Sequence, residues 1–165
     1  MARVGIGFDV HAFADDPHRR LVLGGVVLPG ERALAGHSDA DVVTHAVADA
    51  LLGAAGLGDL GSMFPDSDPA WSGADSCELL AEVVRRVVDA GWTVVNVDCS
   101  VVLEVPRLAP YRETMQQRLG GIVGAPVGVK PKRAEGLGAL GRAEGVACMA
   151  VALLERSAGG LEAVR

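Results

Sequence analysis

Asp9 and His11 stand two residues apart in Gly7-Phe8-Asp9-Val10-His11, and His45 closes the run from His37 through Ser38, Asp39 and Asp41. One carboxylate and two imidazoles form a donor set for a divalent transition metal. Three protein ligands leave a fourth tetrahedral position open, the arrangement of a catalytic rather than a structural zinc. Asp41 and Asp49, one turn either side of His45, are spaced to orient its ring. The same spacing also suits exposed strand polars and a satisfied helix histidine, so spacing alone leaves both readings open. His37 and Ser38 could position or protonate a substrate, although helix capping is the simpler reading of the pair. Asp59 and Asp66, in Gly/Pro loops, suit either hydroxyl binding or ordinary turn chemistry. Lys130, Lys132, Arg133 and Arg142 suit a phosphate-rich ligand, with Glu135 among them able to hold a magnesium ion bridging phosphates; a solvated basic loop fits them as well.

The elements that must position these groups are readable from periodicity. Residues 3–11 alternate as a strand, with Val4, Ile6, Phe8 and Val10 on one face and Asp9 and His11 on the other. Leu21–Leu23 and Val26–Leu28 flank Gly24-Gly25, a dipeptide suited to a two-residue hairpin turn. A helix follows, N-capped by Asp39, carrying Asp41, His45 and Asp49 on one face, and stopped by Gly56-Leu57-Gly58. Residues 63–74 read as a covering loop. Asp75 or Ser76 caps a second helix, with Glu78 in capping-box position, and Gly91 ends it. Residues 92–103 form a central strand, 111–119 a short helix and 126–130 another strand. Gly145–Arg156, apolar on most sides, reads as a last helix packed on the sheet, followed by a frayed end. The order predicts one α+β domain over residues 1–165: a two-layer sandwich with a mixed four-stranded sheet and helices on one face. The open sheet face would need covering, for which self-assembly is the usual answer.

At 165 residues, half of them apolar, the chain can bury its own core, and its 22 glycines imply many tight turns. A net charge of −6 argues against a general nucleic-acid binder. Cys77, Cys99 and Cys148 form no CxxC and read as reduced core thiols. The N-terminus enters a strand pattern without a secretory apolar region, and no apolar run approaches the ~20 residues of a membrane span. The expectation is a cytoplasmic protein with neither a nucleic-acid nor a membrane partner.

Several ordered runs carry a resemblance. They are Gly7-Phe8-Asp9-Val10-His11, His37-Ser38-Asp39 with Asp41 and His45, residues 50–55 with Gly58-Asp59, Phe64-Pro65-Asp66 with Asp68-Pro69, and Gly141-Arg142 with Glu144-Gly145. Through them the chain resembles the 2-C-methyl-D-erythritol 2,4-cyclodiphosphate synthase family of the non-mevalonate isoprenoid pathway, over nearly its full length. The resemblance implies a metal-dependent phosphorus-oxygen lyase. In it the 2-phosphate of 4-diphosphocytidyl-2-C-methyl-D-erythritol 2-phosphate attacks the β-phosphorus, closing a cyclic diphosphate and expelling CMP. It also implies zinc on Asp9, His11 and His45, and magnesium or manganese near Glu135. His37 and Ser38 then belong on the substrate phosphate side, and Asp59, Gly61, Phe64 and Asp66 by the methylerythritol. Lys132, Arg133 and Glu135 join His37 and Ser38 as the implied catalytic set. A homotrimer is implied with active sites between neighbours: Leu103, Pro106, Leu108, Ala109, Lys130, Lys132, Arg133, Ala134 and Glu135 would supply the cytidine pocket from the adjacent subunit. Arg142 and Glu144 match residues lining a central trimer cavity where isoprenoid diphosphates can bind.

Two departures stand out. Lys132-Arg133-Ala134 replaces a frequent run of threonines, exchanging hydroxyl contacts for charge, and Leu103-Glu104 replaces a commoner Ala-Gln. Two rival readings stay open: a phosphohydrolase using the same zinc with water as nucleophile, and a non-catalytic trimeric binder of isoprenoid diphosphates.

Overall fold

The glycines of the first strand set how closely the main helix can lie on the sheet. A Cβ added at Gly5 would sit 2.0 Å from the carbonyl oxygen of Ala50, and one at Gly7 would sit 2.0 Å from that of Ala46. Helix backbone therefore rests directly on strand backbone, which a side chain at either position would prevent. These elements are β1 (Ala2–Ala12) and α1 (Val42–Ala55) of a computed structural model that describes residues 1–65, 67–71 and 73–157.

The remaining elements are β2 (Leu21–Leu23), β3 (Val26–Leu28), α2 (Leu60–Met63), a 3-10 turn at Pro69–Trp71, α3 (Ser76–Asp89), β4 (Trp92–Val102), α4 (Arg112–Val123), β5 (Val127–Lys132), α5 (Gly138–Gly141) and β6 (Gly145–Arg156). The sheet order is β1-β6-β4-β5, with β6 antiparallel to both neighbours and β4 parallel to β5, so the sheet is mixed as expected. α1, α3 and α4 pack on one face, enclosing a core that includes Leu51, Leu80, Val101, Met115 and Leu154. On the other face Val4, Ile6, Phe8 and Val10 are 67%, 65%, 55% and 53% exposed, paired in register with Leu153, Val151, Met149 and Ala147. β2 and β3 form the expected hairpin, with φ of +57° at Gly24 and +70° at Gly25, as a primed turn requires.

The main correction to the sequence reading is β6, expected as a helix. It is one of the two inner strands, hydrogen-bonded on both sides. Its even-numbered residues, Val146 to Leu154, face the helices, and Met149 and Val151 face the open apolar surface. A strand apolar on both faces loses the period-2 signature, and its Ala, Leu, Met and Glu content favours helix intrinsically; pairing overrides that preference.

A second correction concerns the α1 cap, which is Asp41 rather than Asp39 or the pair His37-Ser38. The buried Asp41 carboxylate accepts hydrogen bonds from the backbone N–H groups of Val43 and Thr44, from the Thr44 hydroxyl, and from the N–H groups of Gly24 and Gly25. One side chain thus starts the helix and locks the hairpin beside it. α4 runs four residues past its expected end, and the expected loop after Met63 holds the Pro69–Trp71 turn. The expected frayed end falls outside the described residues. Cys77, Cys99 and Cys148 are free and buried, as expected.

Candidate metal centre and active site

Asp9 and His11 leave β1 on the helix-covered face, and the close approach at Gly7 brings His45 of α1 over them. Asp9 Oδ2 lies 3.0 Å from His11 Nε2 and 2.9 Å from His45 Nδ1. Tetrahedral zinc bonds of ~2.0–2.1 Å would separate neighbouring donors by roughly 3.3 Å, so these atoms need only a few tenths of an ångström of adjustment. The three residues offer ligand atoms that all lie within 4.8 Å of one another, the one such cluster of three or more among the described residues.

The outer ring nitrogens are also engaged, which settles the tautomers. His11 Nδ1 donates to the Ala35 carbonyl at 2.7 Å. His45 Nε2 lies 2.8 Å from Ser76 Oγ, and the Ser76 hydroxyl donates to Asp39 Oδ1. Ser76 must therefore accept from His45 Nε2–H, so a metal-bound His45 would keep its proton on Nε2 and offer Nδ1, the nitrogen that here hydrogen-bonds Asp9 Oδ2 at 2.9 Å. Ser38 Oγ lies 3.2 Å from the same Nε2 and accepts from Ala40 N–H. Both imidazoles are thus held as metal ligands usually are, by an acceptor behind the ring. Gly36 is required here as well: a Cβ on it would come within 3.0 Å of His11 Cε1.

Burial alone would raise the Asp9 carboxyl, but hydrogen bonds and charge from His11 and His45 outweigh it and hold the group well below the usual carboxylate range. Burial would lower the His11 imidazole; Asp9, with help from the Ala35 carbonyl, outweighs that and raises it, against the charge of Arg19. Burial, with the charges of Asp59 and Asp9, raises Asp49, while its bond from Leu60 N–H opposes the shift.

The cluster opens into a cavity of about 240 Å³ lined by His37, Ser38, Gly61 and Phe64 together with Leu60, Trp71 and Leu79. Asp49 and Asp59 line an adjoining recess. Asp59 Oδ1 caps α2 by accepting from Ser62 N–H and Oγ–H. Asp66 lies outside the described residues. The expectation that Asp41 and Asp49 orient the His45 ring is not met: Asp41 is committed to the hairpin and Asp49 to Leu60 N–H at 2.8 Å. That task falls to Ser76 and Asp39. Nothing in spacing links Ser76 to His45, because α3 and α1 meet only through tertiary packing. Arg19, whose Nη2 donates to the Ser38 carbonyl, carries no sequence signal either.

The other expected site residues gather elsewhere. Leu103 and Leu108 are 3% and 1% exposed core residues, so the segment with Pro106 and Ala109 can meet a ligand mainly through backbone. Lys130 pairs with Asp98, Arg133 with Glu104 at 2.7 Å, and Arg142 with Glu144 at 2.6 Å. Lys132, exposed at the end of β5, stands in register with Val102, which pairs with Ala147, which pairs with Val10. At about 4.8 Å per strand, β5 is roughly 14 Å from β1 at this level. Strand alternation puts Lys130 and Lys132 on the face opposite Asp9 and His11. Within one chain the two groups share an end of the sheet but not a face. Ala134 and Glu135 follow in the loop after β5, with Glu135 at φ +52°.

A family model described as the YgbB family matches residues 2–155. The 2-C-methyl-D-erythritol 2,4-cyclodiphosphate synthase of Rubrobacter xylanophilus is 55% identical over 161 residues, 95% of this chain and 97% of the relative. Among solved structures, the bifunctional IspDF of Campylobacter jejuni superposes with a TM-score of 0.89 at 36% identity, over 94% of this chain and 42% of that one. A 2C-methyl-D-erythritol-2,4-cyclodiphosphate synthase in a CDP-bound form gives a TM-score of 0.83 at 36% identity, over 93% of this chain and all of the other. No described helix is long and apolar enough to cross a membrane.

Proposed function

The chain belongs to the YgbB family, and from that premise we propose that it acts as a zinc-dependent, CMP-releasing lyase assembled as a homotrimer. It converts 4-diphosphocytidyl-2-C-methyl-D-erythritol 2-phosphate to 2-C-methyl-D-erythritol 2,4-cyclodiphosphate in isoprenoid precursor biosynthesis. A 2-phosphate oxygen forms a bond to the β-phosphorus, the bond from that phosphorus to the bridging oxygen breaks, and CMP departs with the electron pair.

Such a displacement asks a protein for alignment and charge neutralisation rather than covalent chemistry. Asp9, His11 and His45 hold the zinc, which when bound supplies Lewis-acid polarisation of a phosphate oxygen. The observation that carries this reading is the convergence of Asp9 Oδ2, His11 Nε2 and His45 Nδ1 with both outer ring nitrogens already occupied. His37 and Ser38 line the cavity on the phosphate side. Asp59, Gly61, Phe64 and Asp66 take the methylerythritol, whose hydroxyls match carboxylate acceptors.

The cytidine side belongs to a neighbouring copy. Leu103, Pro106, Leu108 and Ala109 take the base, while Lys130, Lys132, Arg133 and Ala134 take the diphosphate, and Glu135 holds magnesium or manganese. Two features support assembly. The open sheet face is apolar across β1 and β6, and the cations of β5 are on the wrong face to reach their own zinc ligands. Arg142 and Glu144 then line the central cavity, which suits an isoprenoid diphosphate.

His45→Ala tests the site. The variant should lose stoichiometric zinc and turnover while sedimenting, like the parent, at three times the chain mass. Full zinc occupancy in that variant would overturn the ligand assignment, and a monomeric parent would overturn the assembly.

A further inference from the structure

The Glu104 side chain, on the segment after β4, is only 8% exposed and fully engaged. Its Oε2 accepts from Arg133 Nε at 2.9 Å and from Nη2 at 2.7 Å, and its Oε1 accepts from Gly136 N–H at 2.9 Å. Leu103 N–H, next door, donates to the Lys132 carbonyl, so the start and the end of the 132–136 segment are tied to the same two residues.

What this clamp holds is a strained turn. Leu137 N–H donates to the Ala134 carbonyl, closing a turn whose central residues Glu135 and Gly136 have φ of +52° and +73°. Positive φ at both central positions suits Asn-Gly or Gly-Gly; a glutamate in the first is disfavoured and persists only when its surroundings impose it. Gly136 is confined from the other side too, since a Cβ on Gly141 would lie 2.1 Å from its carbonyl carbon. The turn is gripped between the Glu104 carboxylate and α5, with Glu135 at its tip.

From this geometry we propose that Glu104 is a positioning residue for the second-metal side of the reaction: one carboxylate orients the Arg133 guanidinium and fixes the Ala134–Leu137 turn that presents Glu135. The proposal rests on the assignment of Glu135 as the magnesium or manganese ligand and names what holds it in place. Oε2 holds the Arg133 guanidinium through two N–H donors, and Oε1 holds the turn through Gly136 N–H.

The test compares the parent with Glu104→Ala and Glu104→Gln, using CDP and Mn2+ as probes. Mn2+ bound with CDP is read by electron paramagnetic resonance, and the magnesium concentration for half-maximal turnover is measured alongside. Glu104→Ala should weaken Mn2+ binding and raise the magnesium requirement by roughly 10-fold or more, as expected for loss of a group that orients a metal ligand, with zinc content unchanged. Glu104→Gln keeps an acceptor for Gly136 N–H and should recover part of the loss, which a general packing role would not give. Mn2+ affinity and magnesium requirement within about twofold of the parent in Glu104→Ala would overturn the proposal. So would equal losses in both variants that track a fall in melting temperature. If the parent itself holds no Mn2+ with CDP, the assignment of Glu135 fails, and this inference with it.

Discussion

Replacing Ser76 with alanine removes one buried hydroxyl and tests how the metal ligands are held. Ser76 Oγ accepts from His45 Nε2–H at 2.8 Å and donates its own hydroxyl hydrogen bond to Asp39 Oδ1, and its backbone N–H donates to Asp39 Oδ2 at 3.1 Å. In the variant that backbone bond remains, so α3 should stay docked. His45 keeps only Ser38 Oγ at 3.2 Å behind its ring. Hydrogen bonds behind metal-bound histidines are worth about 10–100-fold in affinity, or roughly 1.4–2.7 kcal/mol, and the value here should be near the lower figure because Ser38 offers partial replacement. Competition for zinc between apo-protein and a chromophoric chelator gives the affinity directly, and thermal unfolding of the apo form reports whether the fold survives. Ser76→Ala combined with Ser38→Ala should reach the upper end of the range. A variant that folds normally and binds zinc as tightly as the parent would refute the tautomer argument, and with it the role of Asp39.

Gly7→Ala places a Cβ 2.0 Å from the Ala46 carbonyl oxygen and forces α1 off β1; urea unfolding should show a loss of about 3 kcal/mol or more, with weakened zinc binding, and a loss below about 1 kcal/mol would mean the contact relaxes freely. The pH dependence of the apo-protein has a definite sign. His11 titrates above its ordinary 6.5 in the fold, so its contribution to stability is complete below that value and disappears as pH rises through the higher folded pKa. Asp9, depressed in the fold, contributes above its ordinary 3.8 and loses that contribution only as pH falls through its lowered value. The apo melting temperature should therefore decline as pH is raised past 6.5, while zinc affinity climbs over the same window because the metal must displace the His11 proton. An apo stability that rises through that window would contradict the ion-pair description of the empty cluster.

The sequence made β1, the hairpin, α1 and α3 legible because each has a one-sided pattern bounded by Gly or a capping Asp. β6 reads as a helix from sequence because a strand buried between two others and apolar on both faces carries no alternation. Asp9, His11 and His45 come from residue type and spacing, and the resemblance adds zinc as the metal it implies for them. Their supports were invisible. Ser76 sits where a cap residue is expected, and Asp41, read as a partner of His45, turns instead to the hairpin at Gly24-Gly25. Both outcomes depend on how α1, α3 and the hairpin dock, which no local period encodes. Glu104 was visible as a departure, but its meaning needed the loop after β5 to be seen folded against it.

The most direct measurement is product analysis by phosphorus NMR after incubating 4-diphosphocytidyl-2-C-methyl-D-erythritol 2-phosphate with the protein, zinc and magnesium. The expected result is one CMP released for each cyclic diphosphate formed. CMP accompanied by an open-chain, hydrolysed phosphate, or no turnover with both metals supplied, would contradict the assignment.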